Sequence, residues 1–470
     1  MTWQTVIGLE IHIQLNTHSK AFCSDSARFS DDPNTQTSIV SLAHPGTLPK
    51  LNRAHIESAV KLGIAMNSEI NKASYFERKQ YFYPDLPKGY QISQQASPIC
   101  IGGRFTINTS QGDKTIRLHH IHMEEDAGKS VHDTDPKWSK VDLNRAGVPL
   151  LEMVTEPDFR NAEEVSVFIT DLQRLVRYLG ISDGNMDEGS MRCDINISVR
   201  PEGSDLLNER CEVKNVNSRR FARKAIEFEV NRQIQLHEAG RKVVRQTLQF
   251  VPEEGITVPI REKESAHDYR YFPDPDLPPV VLSHDYIDRI KSGLPTLPQE
   301  YFIELTKNKG VSISDALIMI EDAGVADYYL SLTKDRSDLN KAAANWLVQN
   351  IIPYLTEKNV SIKTLPIQSG DVIALLTSVK DNIITNQQAK ELWNQALNDT
   401  GVNLFTLLNS KVAATPVVDY HAIVEDLFNS FPEEAREFKA GKKKLLGFFL
   451  GEAKKKYPEV NVKEVQKILG

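Results

Sequence analysis

Cysteine is scarce in this 470-residue chain. Only Cys23, Cys100, Cys193 and Cys211 occur, and their wide, irregular spacing is not that of a disulfide framework. Long apolar runs are missing as well: no stretch approaches the roughly 18 residues a membrane-crossing helix needs, and the start has no basic segment followed by an apolar one. The expectation is a soluble, cytoplasmic protein in a reducing environment, without a membrane partner, in which Cys193 and Cys211 are simply buried. Positive charge is not in excess either. Lys and Arg number 56 against 63 Asp and Glu, a formal net charge of −7, so any RNA contact must come from a local patch.

Several catalytic signatures fail on inspection. Gly128-Lys129-Ser130 has the end of a phosphate-binding loop, but that loop needs a glycine where this chain has Met123. His122-Met123-Glu124 opens like a zinc-deaminase signature whose Pro-Cys-x-x-Cys is absent. There is no H-E-x-x-H and no paired C-x-x-C, and no nucleophile and base stand at a spacing known from hydrolases. Internal repeats and low-complexity tracts are also lacking.

What is present is a set of strands with polar faces. Ile7, Leu9, Ile11, Ile13 and Leu15 alternate with Gly8, Glu10, His12 and Gln14, the period of a half-buried strand. Glu10, His12 and Gln14 then share one face, neighbours being roughly 6.6 to 7 Å apart. Between Thr115 and Asp126, three histidines run into Glu124, Glu125 and Asp126, which neither helix nor strand places entirely on one side. Adjacent carboxylates need a cation or donors, and carboxylates with few thiols suit magnesium better than zinc. In 191–200, Arg192, Asp194, Asn196, Ser198 and Arg200 alternate with apolar residues, and Glu212 and Lys214 share a face in 211–215. A solvated sheet face explains any one of these segments equally well. Together they point to an antiparallel sheet whose polar face holds magnesium and a phosphorylated ligand.

The length suggests roughly three domains of about 150 residues, and 40% hydrophobic content is enough for real cores. Asn161 and Glu164 make a capping box ahead of a helix that stops at Gly180, and a second helix is expected from Ser218 to Gly240. The first turns of the second hold Arg219, Arg220, Arg223 and Lys224, a solvated basic face or a phosphate contact. Pro-rich sequence at 272–279 and 294–298 ends the mixed domain near residue 292. Beyond it the pattern is helical, notably in 340–355 and 386–397, with a linker at 412–418 that contains Pro416. Residues 436–467 carry ten Lys or Arg against four Asp or Glu. The expected fold is α+β: an antiparallel-sheet cradle domain at 1–292, an all-helical domain at 293–411 and a small basic helical tail at 412–470.

A series of motifs carries a family resemblance. VIGLEIHIQL around Glu10 and His12, PNTQT at 33–37, HPGTLPKLN at 44–52, RKQYFYPDLPKGYQIS at 78–93, HMEEDAGKS at 122–130, DLNRAGVPLLE at 142–152, MRCDINISVRP at 191–201 and DYRYFPDPDLPP at 268–279 follow in order. In these the chain resembles the B-subunit family of the bacterial aspartyl/glutamyl-tRNA amidotransferases, over about 280 residues and more loosely to the C-terminus. The resemblance implies a catalytic domain with a glutamine synthetase-like core, in a heterotrimeric complex with an amidase-type glutaminase (the A chain of the complex) and a small third chain (C). It implies ATP and Mg2+ as cofactors, and as substrate a tRNA(Gln) or tRNA(Asn) mis-charged with glutamate or aspartate. The side-chain carboxylate would be phosphorylated and the phosphate then replaced by ammonia.

By the same resemblance, Glu10, His12, Glu125 and Glu212 are expected to hold the metal. Glu124 and Asp194 are weaker candidates for that role. Lys79, Lys88, Lys214 and Arg270 are expected to contact phosphate, the tRNA end or the ammonia route, against the alternative of ordinary surface cations. Many family members carry an early cysteine cluster for zinc, whereas Cys23 stands alone here, so no zinc is expected. The segment GKKKLLGFFLGEAKKK resembles the family's tail domain, expected to bind tRNA. Two other classes stay open: a tRNA-binding module without catalysis, and a carboxylate-bound metal hydrolase.

Overall fold

The computed structural model describes residues 2–131, 137–262, 269–398, 403–414, 419–458, 460 and 462–470. They form two compact units, within residues 1–300 and 301–470.

In the first unit the alternation around Glu10 becomes strand β1, Trp3–Gln14. Ile7, Leu9, Ile11 and Ile13 on its inner side are at most 1% exposed. Burying each such side chain contributes about 1.5–3 kcal/mol, which anchors β1 in the middle of the sheet. The strands β2 (Glu77–Gln80) and β3 (Tyr90–Ser93) pair in a small separate sheet. The main sheet has ten strands, among them β4 (Gly112–Glu125), β5 (Pro149–Thr155), β6 (Met191–Pro201), β7 (Cys211–Val216), β8 (Gln246–Val251) and β9 (Ile256–Glu262). Its order runs β9-β8-β7-β6-β1-β5-β4 and continues through Cys100–Ile101 to Glu69–Ile70, with Arg104–Thr109 paired to β4.

The helices α1 (Arg53–Ala65), α2 (Ala162–Tyr178) and α3 (Arg219–Glu238) belong to the same unit. As the sequence suggested, the Asn161 side chain caps α2 by accepting from the Glu164 amide at 2.9 Å, and Gly180 ends it at φ 65°. Ser218 caps α3 in the same way, accepting from the Phe221 amide. An entirely antiparallel sheet is corrected at one place: β7 and β8 run parallel. The chain between them is α3, and a parallel neighbour requires such a crossover. Phe168, Leu172 and Leu175 of α2 and Ala222, Ala225 and Ile226 of α3 join Ile7, Ile11 and Ile195 in one apolar core, which extends to Leu297. One side of the sheet is thus dry, and the other is left to the polar alternation.

In the second unit the described residues are helical, without a strand. The pattern at 340–355 forms Asn340–Trp346 and Ile352–Lys358 with a π turn between them, and 386–397 lies in Asn386–Asn398. The helix Leu404–Ala414 takes up the first three positions of the expected linker. Residues 415–418, with Pro416, lie outside the described residues, as does Asp268 of the DYRYFPDPDLPP motif. The helices Tyr420–Ser430, Pro432–Lys439, Leu446–Lys456 and Val462–Leu469 enclose a cluster of their own around Leu427, Phe449 and Val465. Among the described residues, no helix is long and apolar enough to cross a membrane.

Candidate metal centre

Because β1 lies between β6 and β5, the even positions of these strands form rows across the sheet. His12 stands opposite Arg192 on one side and Glu152 on the other, and Glu152 in turn opposes His122 of β4. Glu124 follows His122 two residues later, on the same face. The side chains converge: His12 Nε2 lies 3.2 Å from Glu152 Oε2 and 3.6 Å from Glu124 Oε1. His122 Nε2 lies 3.5 Å from Glu152 Oε2 and 3.6 Å from Glu124 Oε2. One donor atom each from His12, Glu124 and Glu152 lies within 4.8 Å of the other two, and among the described residues this is the one such group of three or more His, Cys, Asp or Glu donors.

Electrostatics makes the cluster hungry for positive charge. Burial alone would lower the His12 pKa, but Glu152, Glu124 and Asp194 outweigh it and raise it to about 9. Burial likewise opposes ionisation of Glu152, yet the charges of His122 and His12 hold its carboxyl well below the usual range. Burial opposes ionisation of Glu124 as well, and its hydrogen bond with His122 leads the effects that lower it all the same. The buried Glu124 and partly buried Glu152 carboxylates are therefore balanced by the His12 imidazolium, and a divalent cation can take over that task once His12 gives up its proton. One imidazole and two carboxylates suit Mg2+ or Mn2+, with remaining positions for water or phosphate oxygens. Burial, followed by the carboxylate of Glu124, also raises the phenols of Tyr81 and Tyr271, so neutral tyrosines stand over these acids.

Of the residues singled out in the sequence, His12 and Glu124 are in this group. Glu10 is on the same face one rung away, opposite Asp194, with one oxygen accepting from Asn196 Nδ2 at 2.8 Å. Next to it, Lys214 Nζ reaches Asp194 Oδ2 at 2.5 Å and Glu212 Oε1 at 3.5 Å, while Thr247 donates to Glu212 Oε2 at 2.9 Å. Glu10, Asp194 and Glu212 thus form an acidic row capped by a lysine, separate from the His12 cluster. Glu125 turns the other way because successive strand residues alternate sides. Its Oε1 accepts from the Ile92 amide at 3.0 Å and pairs with Lys88 Nζ at 2.5 Å, at the edge of a separate cavity of about 300 Å3 that also contains Lys20 and Asp126. Lys79 Nζ lies 4.8 Å from the Tyr269 ring centre, and its charge helps lower Glu152. Arg270 is exposed, with its backbone in the left-handed region at φ 50°.

Sequence reasoning did not assign Glu152, although the motif DLNRAGVPLLE ends on it. The segment Pro149–Thr155 is apolar on both sides except for this one acid and the terminal Thr155, so no alternation marks it as a strand with a wet face. A lone carboxylate in such a run was the available signal. His122 was noticed in a histidine run, in the HMEEDAGKS motif and in an incomplete zinc-deaminase signature, but was given no role. Cys23 Sγ lies 3.4 Å from Ser41 Oγ, and Asp25 also accepts from the Ser41 hydroxyl, so this loop is tied by hydrogen bonds.

Comparison with known proteins agrees with the motifs. Residues 5–288 match the family described as the GatB/GatE catalytic domain, and residues 327–470 match the GatB domain. The chain is 42% identical to the B subunit of the aspartyl/glutamyl-tRNA(Asn/Gln) amidotransferase of Nitrosospira multiformis, over 97% of this chain and 96% of that protein. It is 39% identical to the protein of the same name from Persephonella marina, over 100% and 99% of the two. With that of Burkholderia lata the identity is 43%, over 96% and 95%.

Proposed function

The chain belongs to the B-subunit family of the aspartyl/glutamyl-tRNA(Asn/Gln) amidotransferases, and on that premise we propose that its sheet face is the centre where ATP phosphorylates the side-chain carboxylate of glutamate or aspartate mis-charged on tRNA. The family's complex is a tRNA-dependent ligase that uses glutamine as amido donor. A carboxylate repels nucleophiles, so amide formation requires an activated acyl group, and phosphoryl transfer depends mainly on positioning and charge neutralisation. The observation that carries the reading is the convergence of His12, Glu124 and Glu152 on one point of a helix-backed polar sheet face.

In this reading His12, Glu124 and Glu152 hold Mg2+, which supplies charge neutralisation at the nucleotide's phosphates. Lys79, beside Glu152, and Lys214, above the Glu10–Asp194–Glu212 row, orient the phosphates. Arg270 reaches toward the tRNA end. The Lys88–Glu125 cavity lies on the side from which ammonia arrives, delivered by the amidase-type glutaminase of a cytoplasmic heterotrimer that also holds the small third chain. The cradle's core follows glutamine synthetase, and the basic helices after residue 412 grip the tRNA.

The test is ATP consumption by the reconstituted complex with charged tRNA present and absent. Turnover that requires Glu-tRNA(Gln) or Asp-tRNA(Asn), and that Glu152→Gln abolishes without weakening tRNA binding, supports the reading. Undiminished turnover in Glu152→Gln refutes it.

A further inference from the structure

The last four helices leave part of their own apolar cluster open. Phe428, Phe438, Leu446 and Ile468 are only partly buried against it, and they line a hollow of about 820 Å3. The same lining includes Lys439, Lys443, Lys463 and Lys467, all exposed, and holds no Asp or Glu. Lys463 and Lys467 stand one turn apart on Val462–Leu469, and Lys439 closes Pro432–Lys439. Lys467 is partly neutralised, its Nζ lying 2.6 Å from Glu464 Oε1. Lys439 and Lys443 have no ion-pair partner among the described residues.

Apolar surface left open in a hollow marks a place where another molecule packs. A second copy of this chain is disfavoured, because it would bring its own four lysines against these. A nucleobase is a poor fit as well. Lys439 Nζ stands 4.8 Å from the centre of the Phe428 ring and covers a face on which a base would stack, while Leu446 and Ile468 offer no ring at all. Phe428 and Phe438 are further engaged edge-on with Phe449. A flat bilayer cannot follow a concave floor. An amphipathic helix satisfies both features at once: a stripe of apolar side chains fills the hollow, and Asp or Glu flanking the stripe meets the lysines.

We propose that this groove docks an acidic amphipathic helix of a protein partner. The proposal concerns the tail alone and holds whichever way the cradle is read. Lys443 also belongs to the basic run at 442–444, so the groove is tested through other residues.

The probe is a labelled synthetic peptide of about 18 residues, with Leu at i, i+3, i+4 and i+7 and Glu on both flanks. It is titrated by fluorescence anisotropy into the full-length protein in its complex. A companion peptide has the same composition with the stripe scrambled. A groove contact should bind the probe at about 10 µM or tighter, and about ten-fold ahead of the scramble. Ile468→Gln and, separately, Leu446→Gln should each weaken the probe about ten-fold, the worth of one apolar anchor. Lys439→Glu combined with Lys463→Glu, on exposed side chains, should weaken it about five- to ten-fold at low salt and less at about 0.5 M salt. Affinity for uncharged tRNA should stay within about two-fold in Ile468→Gln and Leu446→Gln, since neither changes charge. Thermal melting confirms folding, and the lysine pair keeps the test decisive should both apolar variants fail to fold. Equal binding of the scramble would reduce the groove to a charged surface and overturn the proposal, as would a wild-type complex that binds neither peptide. Loss of tRNA affinity in the apolar variants with probe binding unchanged would give the hollow to RNA and overturn it too.

Discussion

His12 and Glu152 face each other across β1 and β5 with Nε2 3.2 Å from Oε2, while Glu125, one residue from their neighbour Glu124, is turned away to Lys88. Metal affinity should therefore separate the two acids. Glu152→Gln should weaken Mn2+ binding, read by electron paramagnetic resonance, by about 100-fold or more, since even outer partners of metal ligands are worth 10- to 100-fold. Glu125→Gln should leave it within about three-fold. The opposite ranking would move the ion to the Lys88 side of the strand.

Gly63 in α1 should not tolerate alanine. In an exposed helix Gly→Ala gains about 1 kcal/mol, but a Cβ here would lie 2.8 Å from Ile70 Cδ1 and closer still to Cys100 Sγ. Overpacking a rigid core costs typically about 1–3 kcal/mol, so the net effect of Gly63→Ala is destabilisation. A midpoint of urea unfolding at or above that of the parent would show that Cys100 gives way.

Stability should fall in mild acid through His55. This residue is fully buried, with Nε2 2.9 Å from the Leu150 carbonyl and Nδ1 without a partner among the described residues. Burial lowers its pKa from 6.5 to about 4, against the weaker opposing pull of the Leu150 carbonyl and Glu124. The unfolded chain then binds the extra proton between these values. His55 costs no stability above about pH 6.5, and the loss grows to about 3 kcal/mol as pH falls to 4. His55→Gln, which can still donate to Leu150, should flatten this part of the curve. An identical pH dependence of chemical denaturation in both proteins would acquit His55.

Charge in the tail should control tRNA affinity. Changing Lys442, Lys443 and Lys444 to Gln should reduce the slope of log affinity against log salt by a little under one unit for each phosphate that these lysines neutralise. ATP turnover at saturating charged tRNA should not change, because the His12 cluster lies far away in the sequence. A salt slope equal to the parent's would assign these lysines to solubility or packing within the complex.

Much of the site was legible because a strand's side chains alternate. Glu10, His12, Asp194 and Glu212 could be placed on polar faces from the pattern, and the capping residues Asn161 and Ser218 fixed two helix starts. The order of strands was not legible. Which strand lies beside β1 is decided by packing between distant segments, and β5, inserted between β1 and β4, brings the unannounced Glu152 into the centre. The same limit explains Glu125. Of three adjacent acids, alternation guarantees that one points away from its neighbours, but only the surrounding strands decide which side holds the cluster.

The central place of β1 also sets a timetable for synthesis. Glu10 is made well before its neighbours across the sheet, Val154 and Asp194. At about 5–20 residues per second, β1 waits roughly 10–40 s for the second of them to be synthesised. During that time its row of isoleucines has no sheet to cover it, and a chain halted before β6 would keep β1 as a bare, aggregation-prone edge. The strand that supplies Glu10 and His12 to the cradle is thus also the one for which a nascent chain most needs a chaperone.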